Sequence, residues 1–312
     1  MTSTEKRLEH RAFLYRGTDD FLSVTVPFLA AGLDADEAVV AVVRRAAIEP
    51  LRESLGDRAG TIEFYPSEEF YRHPVRTLKS YQELVNAKAP RSVRALAEPV
   101  WQGWSPRETL EWARYESLIN IVFSGSGARA LCPYDEATLP AEIIDHARRT
   151  HPLLAQGSAT VGNHDYVRPG DFGAGCDRTL RFERPRDALY MPVESDDLHR
   201  LRAFVAERAA AHGLDRQSAQ NFVTAANEVA ANALQHGAPP AGLWLWSEGA
   251  ELVCEIGDNG LWRPAPGALV GFIPPDSALQ RGFGLWTVRL LVDLVEVRAG
   301  WDGTFVRLRL CR

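Results

Sequence analysis

The segment from residue 227 to residue 237 constrains this chain more than any other. It reads Asn-Glu-Val-Ala-Ala-Asn-Ala-Leu-Gln-His-Gly, and its alanines favour a helix. Glu228 and Asn232 are four residues apart, so a helix places both side chains on one face. A carboxylate one turn away from an amide can act as a general base beside an oxygen ligand for Mg²⁺. Taken alone, the segment is more simply an amphipathic helix with two polar residues facing solvent.

Three further motifs follow towards the C-terminus. An apolar strand pattern, residues 252–258, ends with an acidic residue and a turn at Gly260. Residues 280–288 begin an apolar helix that has two glycines near its start, and residues 303–310 form a last strand pattern. Glycine lets the backbone turn tightly and approach a ligand closely. A glycine-rich helix start also exposes backbone N–H groups at the positive end of the helix dipole, which favours phosphate oxygens.

These four motifs, in this order and at these spacings, resemble the N box, G1 box, G2 box and terminal Gly-Thr strand of the GHKL ATP-binding fold. The compact form is most similar to the bacterial anti-sigma-factor serine kinases and their actinobacterial relatives. The resemblance covers residues 179–312. It implies a C-terminal GHKL (Bergerat) α/β sandwich with helices over a mixed sheet, which binds ATP and Mg²⁺.

The resemblance also implies a role for each matching residue. Glu228 would be the catalytic base that activates the attacking hydroxyl group, and Asn232 would bind Mg²⁺ and the triphosphate. Asp258 would accept a hydrogen bond from the adenine amino group, and Thr304 would hold a water molecule or the base. Arg281 is a candidate partner of the γ-phosphate, although a neighbouring position fits that role equally well. The expected ATP-binding residues are Asn232, Asp258, Gly260, Arg281, Gly282, Phe283, Gly284, Leu285 and Thr304.

Two features differ from the pattern of sensor histidine kinases. Trp262 stands where many of them have a second glycine, which suits the anti-sigma type better. The Gly- and Pro-rich segment 261–280 would be the nucleotide lid, and it is short. His236 is expected to cap or pack the helix end rather than to take part in chemistry.

The N-terminal half alternates short apolar runs with helical patterns. Such alternation predicts a doubly wound α/β sheet, which binds ligands beyond the carboxyl ends of its strands. Residues 38–43 form a continuous Ala/Val run, typical of a parallel strand buried on both faces. The predicted strands are 12–15, 38–43, 61–64, 93–96 and 128–132, and the predicted helices are 19–32, 46–55, 74–87, 107–121 and one after Pro140.

This half resembles the MEDS sensory domain, a relative of RecA-like folds. The residues that carry the resemblance are His10 with Tyr15, Val26-Pro27-Phe28-Leu29 with Gly32, Tyr115-Glu116 with Asn120, Cys132-Pro133-Tyr134-Asp135 and Thr150-His151-Pro152. No phosphate-binding G-x-x-x-x-G-K-[ST] motif occurs in the sequence, so this half is not predicted to hydrolyse nucleotides. Polar residues at or near strand ends are candidates for a pocket that binds a small-molecule signal, and a buried polar network between helix and sheet is the alternative. These residues are His10, Glu98, Tyr115, Glu116, Asn120, Cys132 and Asp135.

Composition and charge narrow the classes of function. The chain has 312 residues, of which 46% are hydrophobic, which is enough for two domains with cores of their own. Its net charge of −6 and its lack of a long basic run argue against direct binding to nucleic acid. No apolar segment approaches the length of a membrane span. The four cysteines form no C-x-x-C pair, so neither disulfides nor a cysteine-bound metal site is expected. A reducing cytoplasm is the expected location.

These observations predict a sensory domain over residues 1–165, a Gly/Pro-rich linker over 166–178 and an ATP-binding domain over 179–312. The first helix of the second domain is predicted from Ser195 to His212, with Ser195 or Asp196 as its N-cap. Three functions are then open. The chain is a serine/threonine kinase acting on an anti-sigma-factor antagonist, or an ATP-responsive protein that binds a sigma factor or antagonist, or a histidine-kinase-like sensor. The sequence lacks the acidic residue and proline that would follow a phospho-accepting His199. A homodimer is compatible with each function.

Overall fold

A computed structural model of the chain describes residues 7–179, 183–194, 198–261, 271–272, 283–300 and 302–312. The chain divides into two compact units, Met1–Gly173 and Ala174–Arg312, which we describe separately. Within the described residues, no helix combines the length and the apolar character that crossing a membrane requires.

The first unit consists of one sheet with helices on both faces. Its strands are β1 (Glu9–Tyr15), β2 (Ala38–Val43), β3 (Glu63–Pro66), β4 (Val93–Ala97), β5 (Arg129–Asp135), β6 (Leu153–Gln156) and β7 (Ala159–Gly162). Its α-helices are α1 (Gly17–Asp34), α2 (Arg45–Leu55), α3 (Ser67–Phe70), α4 (Pro74–Ala87), α5 (Pro106–Val122) and α6 (Ala141–Thr150), and a 3₁₀-helix spans Gly56–Thr61. Each predicted strand and helix is present, with ends that differ by a few residues.

The strand order of the first sheet is β3-β2-β4-β5-β1-β6-β7. All neighbouring strands from β3 to β6 are parallel, and β7 pairs with β6 in the antiparallel direction. All six residues of β2 are buried, because Val39, Ala41 and Val43 pack with α1 and α2 while the alternate residues face the opposite side. The predicted doubly wound fold is therefore confirmed. The exposed β6–β7 hairpin at its edge was not predicted.

The segment that its glycines and prolines predict to be an irregular linker is instead partly helical. Helix α7 covers Pro169–Thr179 and crosses the boundary between the two units. Pro169 suits the first turn of a helix, where its missing N–H group is not needed. Phe172 is buried, with its ring 5.9 Å from that of His146 and below the guanidinium of Arg149. This burial stabilises a helix that local composition disfavours.

The second unit is a five-stranded sheet covered on one face by helices. Its elements are β8 (Leu189–Val193), α8 (Leu198–His212), α9 (Arg216–His236), β9 (Ala241–Glu248), β10 (Glu251–Asp258), α10 (Phe283–Leu291), β11 (Leu294–Gly300) and β12 (Gly303–Cys311). The strand order is β11-β12-β10-β9-β8. Every pair of neighbouring strands described is antiparallel, so the predicted mixed sheet is wrong in this detail. The physical reason is that β9–β10 and β11–β12 are hairpins, whose strands necessarily run in opposite directions.

Helix α9 is the central helix of the second unit. Asp215 caps its N-terminus by accepting hydrogen bonds from the backbone N–H groups of Gln217 and Ser218, at 2.8 and 2.9 Å. The alanine-rich face of α9 is buried against the sheet, around Phe222 and Val229. Helix α8 packs on α9 through its own apolar stripe; the predicted caps Ser195 and Asp196 lie outside the described residues.

The face of the second sheet opposite the helices carries buried charge. Glu255 is fully buried and accepts hydrogen bonds from Arg307 Nη2 at 2.6 Å and from Arg307 Nε at 2.9 Å. Arg309 donates in the same way to Glu296, at 2.9 Å. Because residues on a strand alternate between faces, these charged residues interleave with the apolar residues of the core. Arg307 and Arg309 on β12 each have an ion-pair partner on a neighbouring strand, β10 or β11.

Candidate functional site

A cavity of about 230 Å³ lies in the second unit between α9, α10 and the strands β10 and β12. Its walls are largely apolar, and a small number of polar groups face into it, which is the usual make-up of a ligand site. The apolar lining is formed by Val229, Ala233, Ile256, Leu285 and Val306, and the polar lining by Asn232, His236, Asp258 and Thr304. The N-box helix, the G1 strand and the last strand therefore meet at one cavity.

Asp258 is held rigidly at one end of the cavity. Its Oδ1 accepts hydrogen bonds from the backbone N–H groups of Gly260, at 2.6 Å, and Ala238, at 3.2 Å. Among the described residues, no donor contacts Oδ2, so this oxygen is left to accept a hydrogen bond from a ligand. A carboxylate whose other oxygen is fixed by two backbone groups is a preorganised acceptor.

Two glycines that the sequence analysis did not assign to the site make room for Asp258. A Cβ atom on Gly237 would lie well under 3.0 Å from the carboxyl carbon of Asp258. A Cβ atom on Gly303 would lie equally close to the carbonyl oxygen of Asp258, and the φ angle of +121° at Gly303 also favours glycine. Gly237 ends the segment 227–237 and Gly303 begins the last strand pattern, so their positions in these motifs could have indicated a place in the site.

Thr304 stabilises the turn after Asp258. Its hydroxyl group donates a hydrogen bond to the carbonyl oxygen of Gly260 at 2.8 Å. The proton of this hydroxyl is therefore directed to the protein rather than into the cavity. Thr304 therefore lines the cavity as a hydrogen-bond acceptor. Of the role expected for it, holding a water molecule or the base, this leaves contacts in which the partner is the donor.

Glu228, Asn232 and the start of α10 converge at the other end of the site. An ideal Cβ atom on Gly284 would lie 2.4 Å from Glu228 Oε1 and 3.1 Å from Asn232 Nδ2. The two side chains thus share one face of α9, as their spacing predicts, and both approach the backbone of α10. Of the other predicted residues, Leu285 lines the cavity, Phe283 opens α10, and Arg281 and Gly282 lie outside the described residues.

The residues predicted to form a sensory pocket divide into two groups in the first unit. His10, Glu116 and Cys132 lie together, with Tyr115 beside them on α5, and Asn120 contacts His10 at 3.1 Å. Glu98 and Asp135 belong elsewhere. Glu98 accepts hydrogen bonds from the backbone of Arg44 at 3.0 Å and from the Tyr15 hydroxyl at 3.3 Å. Asp135 accepts one from the backbone N–H of Ala137 at 3.0 Å, in the turn after β5.

His151 joins the first group and was not among the predicted pocket residues. Its ring centroid lies 4.0 Å from that of His10, and both rings are fully buried. Burial raises the pKa of Glu116 to about 8 and lowers the pKa of His10 to about 4, because the charged forms are poorly solvated there. It also lowers the pKa of His151 and raises the pKa of the Cys132 thiol.

Comparisons with known proteins find a different family in each of the two units. Residues 9–152 match the family model of the MEDS domain, described as the methanogen/methylotroph, DcmR sensory domain. Residues 191–310 match the model of the histidine kinase-like ATPase domain. No curated protein matches the chain.

Among the solved structures similar to the chain, three illustrate how weak the similarity is. They are the RsbU and RsbW domains of Rv1364c from Mycobacterium tuberculosis (19% identity, 41% of this chain and 33% of that chain, TM-score 0.31), the mycobacterial sensor histidine kinase MprB (18%, 39% and 97%, 0.28) and the Acinetobacter baumannii histidine kinase AdeS (9%, 77% and 95%, 0.24). The chain spans about a third of the length of the first of these. With TM-scores this low, none of the three carries an argument. The two family models show that the chain contains a MEDS sensory domain at residues 9–152 and a histidine kinase-like ATPase domain at residues 191–310.

Proposed function

We propose that the second unit binds ATP with Mg²⁺ and transfers the γ-phosphoryl group to a serine or threonine hydroxyl of a partner protein. The MEDS domain would adjust this activity in response to a signal. The observation that carries the proposal is the convergence of Glu228, Asn232 and the start of α10 at one end of the cavity that Asp258 closes at the other. In this proposal the base is recognised at one end of the site, and the phosphate groups react at the other.

The end formed by Asp258 suits an adenine ring. An amino group on the ring would donate to Oδ2, while Oδ1 stays bonded to the backbone of Gly260 and Ala238. The flat faces of the ring would lie against the apolar walls of the cavity. One charge-assisted hydrogen bond combined with apolar contacts is a usual basis of specificity in small-molecule sites.

The end formed by Asn232 suits Mg²⁺ and phosphate. The ion prefers oxygen ligands, which an amide and the phosphate groups supply, and when bound it would neutralise phosphate charge. Backbone N–H groups at the start of α10, whose Gly284 adjoins Glu228 and Asn232, would donate to phosphate oxygens there. Glu228, on the same face of α9, would hold the proton of an attacking hydroxyl group.

A protein that only binds ATP, and grips a sigma factor or antagonist in response, has no need of a carboxylate at this position. The retention of Glu228 beside α10 therefore favours transfer over simple binding. A histidine-kinase mechanism is less consistent with α8, which packs against α9 through Leu201 and Val205 as part of the ATPase core. Exposed His199 lies on that same helix and not on a separate dimerisation hairpin.

The partner we propose is an anti-sigma-factor antagonist, a sigma factor or both, in the cytoplasm. Labelled ATP incubated with the full chain and candidate antagonist domains tests this directly. Acid-stable label on the partner supports serine/threonine transfer. Acid-labile label on the chain itself would indicate a histidine kinase, and tight ATP binding without any label would indicate a binding protein.

Two substitutions on α9 separate catalysis from binding. Glu228→Ala should abolish transfer and leave ATP affinity largely unchanged, because a general base acts mainly on the transition state. Asn232→Ala should also lose Mg²⁺-dependent binding. Gln235→Ala is the control, because Gln235 is exposed on the same helix and does not line the cavity. Equal losses of ATP affinity in the Glu228 and Asn232 variants would contradict the proposed base.

A further inference from the structure

Four metal-ligating side chains lie together in the interior of the MEDS domain. The ligand atoms of His10, Glu116, Cys132 and His151 all lie within 4.8 Å of one another. Each of these residues is at most 2% exposed. They come from four elements, because His10 is on β1, Cys132 on β5, Glu116 on α5, and His151 directly follows α6. In the parallel register Ala12 pairs with Cys132, which places His10 and Cys132 on the same face of the sheet.

The contacts of Glu116 with the two histidines are too long for hydrogen bonds, whereas Cys132 Sγ lies within hydrogen-bond distance of His10 Nε2. Glu116 Oε2 lies 3.8 Å from His10 Nε2 and 3.6 Å from His151 Nε2, and hydrogen bonds of this kind are about 2.7–3.2 Å long. Two of these atoms, Glu116 Oε2 and His151 Nε2, are buried and have no hydrogen-bond partner. Leaving buried polar atoms unsatisfied is costly, so a neutral polar network explains the cluster poorly.

The same separations suit four ligands around one ion. Metal–ligand bonds of about 2.0–2.3 Å in tetrahedral geometry place neighbouring ligand atoms roughly 3.3–3.7 Å apart. The Cys132 Sγ to His10 Nε2 distance of 3.4 Å falls in this range, and the two distances from Glu116 fall in it or at its edge. No separation in the cluster exceeds 4.8 Å, so a movement of about 1 Å or less would bring the remaining ligand atoms into this range on binding.

Hydrogen bonds to groups outside the cluster orient both histidines so that an unprotonated nitrogen faces the cluster. Asn120 Nδ2 donates to the carbonyl oxygens of Ser117 and Thr150, so its Oδ1 faces His10 Nδ1 and that nitrogen carries the proton. His151 Nδ1 lies 2.8 Å from the carbonyl oxygen of Ala147, which only accepts hydrogen bonds. In both rings the Nε2 lone pair is therefore left to coordinate. This is the arrangement found around metal-bound histidines.

We propose that His10, Glu116, Cys132 and His151 form a binding site for one divalent zinc-type cation. A set of two imidazoles, one thiolate and one carboxylate suits Zn²⁺ and not Mg²⁺ or Ca²⁺, which prefer oxygen ligands. Two neutral histidines, one thiolate and one carboxylate together balance the 2+ charge of the ion, which a buried site requires. Four protein ligands complete the coordination, so the site binds the metal itself and presents no open position to a substrate.

The absence of a competing cation strengthens this assignment. Among the described residues, the ion pairs of Glu116 are with His10 and His151 alone. No arginine or lysine of the described structure therefore compensates the carboxylate. A small apolar cavity of about 40 Å³ is lined in part by His10 and Cys132, so free volume lies beside the cluster.

The full-length chain tests the proposal through its metal content. Protein produced with zinc and freed of loosely bound metal should contain about one Zn²⁺ per chain by atomic emission. Replacing zinc with Co²⁺ should give the intense visible bands of a tetrahedral site and a thiolate-to-cobalt charge-transfer band. Cys132→Ser should remove that band and weaken Zn²⁺ binding by more than about 100-fold, because the thiolate is a direct ligand.

Two further variants separate coordination from simple loss of folding. Asn120→Ala leaves all four ligands in place and should weaken Zn²⁺ affinity by about 10- to 100-fold, because it removes the orientation of His10. Cys176→Ser, at another buried cysteine, should retain both zinc and the cobalt spectrum of the parent chain. Folded wild-type protein without bound zinc and without a thiolate–cobalt band would overturn the proposal, as would an unchanged spectrum in Cys132→Ser.

Discussion

Gly284→Ala is the substitution that most directly tests the proposed catalytic end of the candidate ATP site. The added Cβ atom would lie 2.4 Å from Glu228 Oε1, whereas ordinary contacts of this kind are 3.4–4 Å. The carboxylate must therefore move by about 1 Å, and a displacement of that size in a reacting group costs on the order of 100-fold in rate. We expect the rate of phosphoryl transfer to fall by about that factor, or roughly 2.7 kcal/mol of transition-state stabilisation.

Stability should change in the opposite direction. The displaced atom is the end of a flexible side chain, and alanine is favoured over glycine in a helix by up to about 1 kcal/mol. Denaturant unfolding should therefore show a variant at least as stable as the parent chain. Gly175→Ala is the matched control, because Gly175 also lies in a helix and an added Cβ atom there meets nothing within 4 Å. It should leave the transfer rate unchanged.

A double-mutant cycle identifies the atom responsible. In a Glu228→Ala background the colliding carboxylate is absent and transfer is abolished, so the cycle is read in ATP affinity, which adding Gly284→Ala should change by no more than about twofold. Radiometric transfer assays and calorimetric ATP titrations on the four proteins supply the rates and affinities. If Gly284→Ala transfers phosphate at the parental rate, Glu228 is not the base, and the reasoning from its position fails.

Three further predictions concern the base-recognition end, the buried charges and the two units. Asp258→Asn keeps an oxygen for the backbone of Gly260 but loses the charge, so calorimetry should show ATP affinity weakened by about 1.5–3 kcal/mol; unchanged affinity would exclude an adenine contact there. Glu255→Ala removes the buried carboxylate that forms an ion pair with Arg307 and should cost about 3–5 kcal/mol in urea unfolding, whereas joint replacement of both by Leu and Met should cost much less; equal costs would show that the charges are not coupled. Removing residues 1–173 should leave a unit that binds ATP but differs from the full chain in transfer rate or partner affinity; identical values would argue against control by the MEDS domain.

Much of the architecture was predictable because it depends on local patterns. The buried strand at 38–43 and the helix that carries Glu228 follow from periods of two and 3.6 residues, which neighbouring side chains alone determine. Helix α7 was missed because Phe172 and Cys176 stabilise it through burial, which outweighs its glycines. The antiparallel character of the second sheet depends on hairpin pairing, which the strand patterns alone do not specify.

The candidate ATP site could be predicted from the sequence motifs that contain Glu228, Asn232 and Asp258, and the structure brings Asn232 and Asp258 to one cavity. What the tertiary structure decided is which distant groups meet. His10 and Cys132 are neighbours because β1 and β5 pair in parallel at one register, and Glu116 and His151 reach them from helices on that side of the sheet. The family resemblance singled out His10, Glu116 and Cys132 as pocket candidates, but residue spacing cannot show that they meet His151, because packing between elements brings the four together.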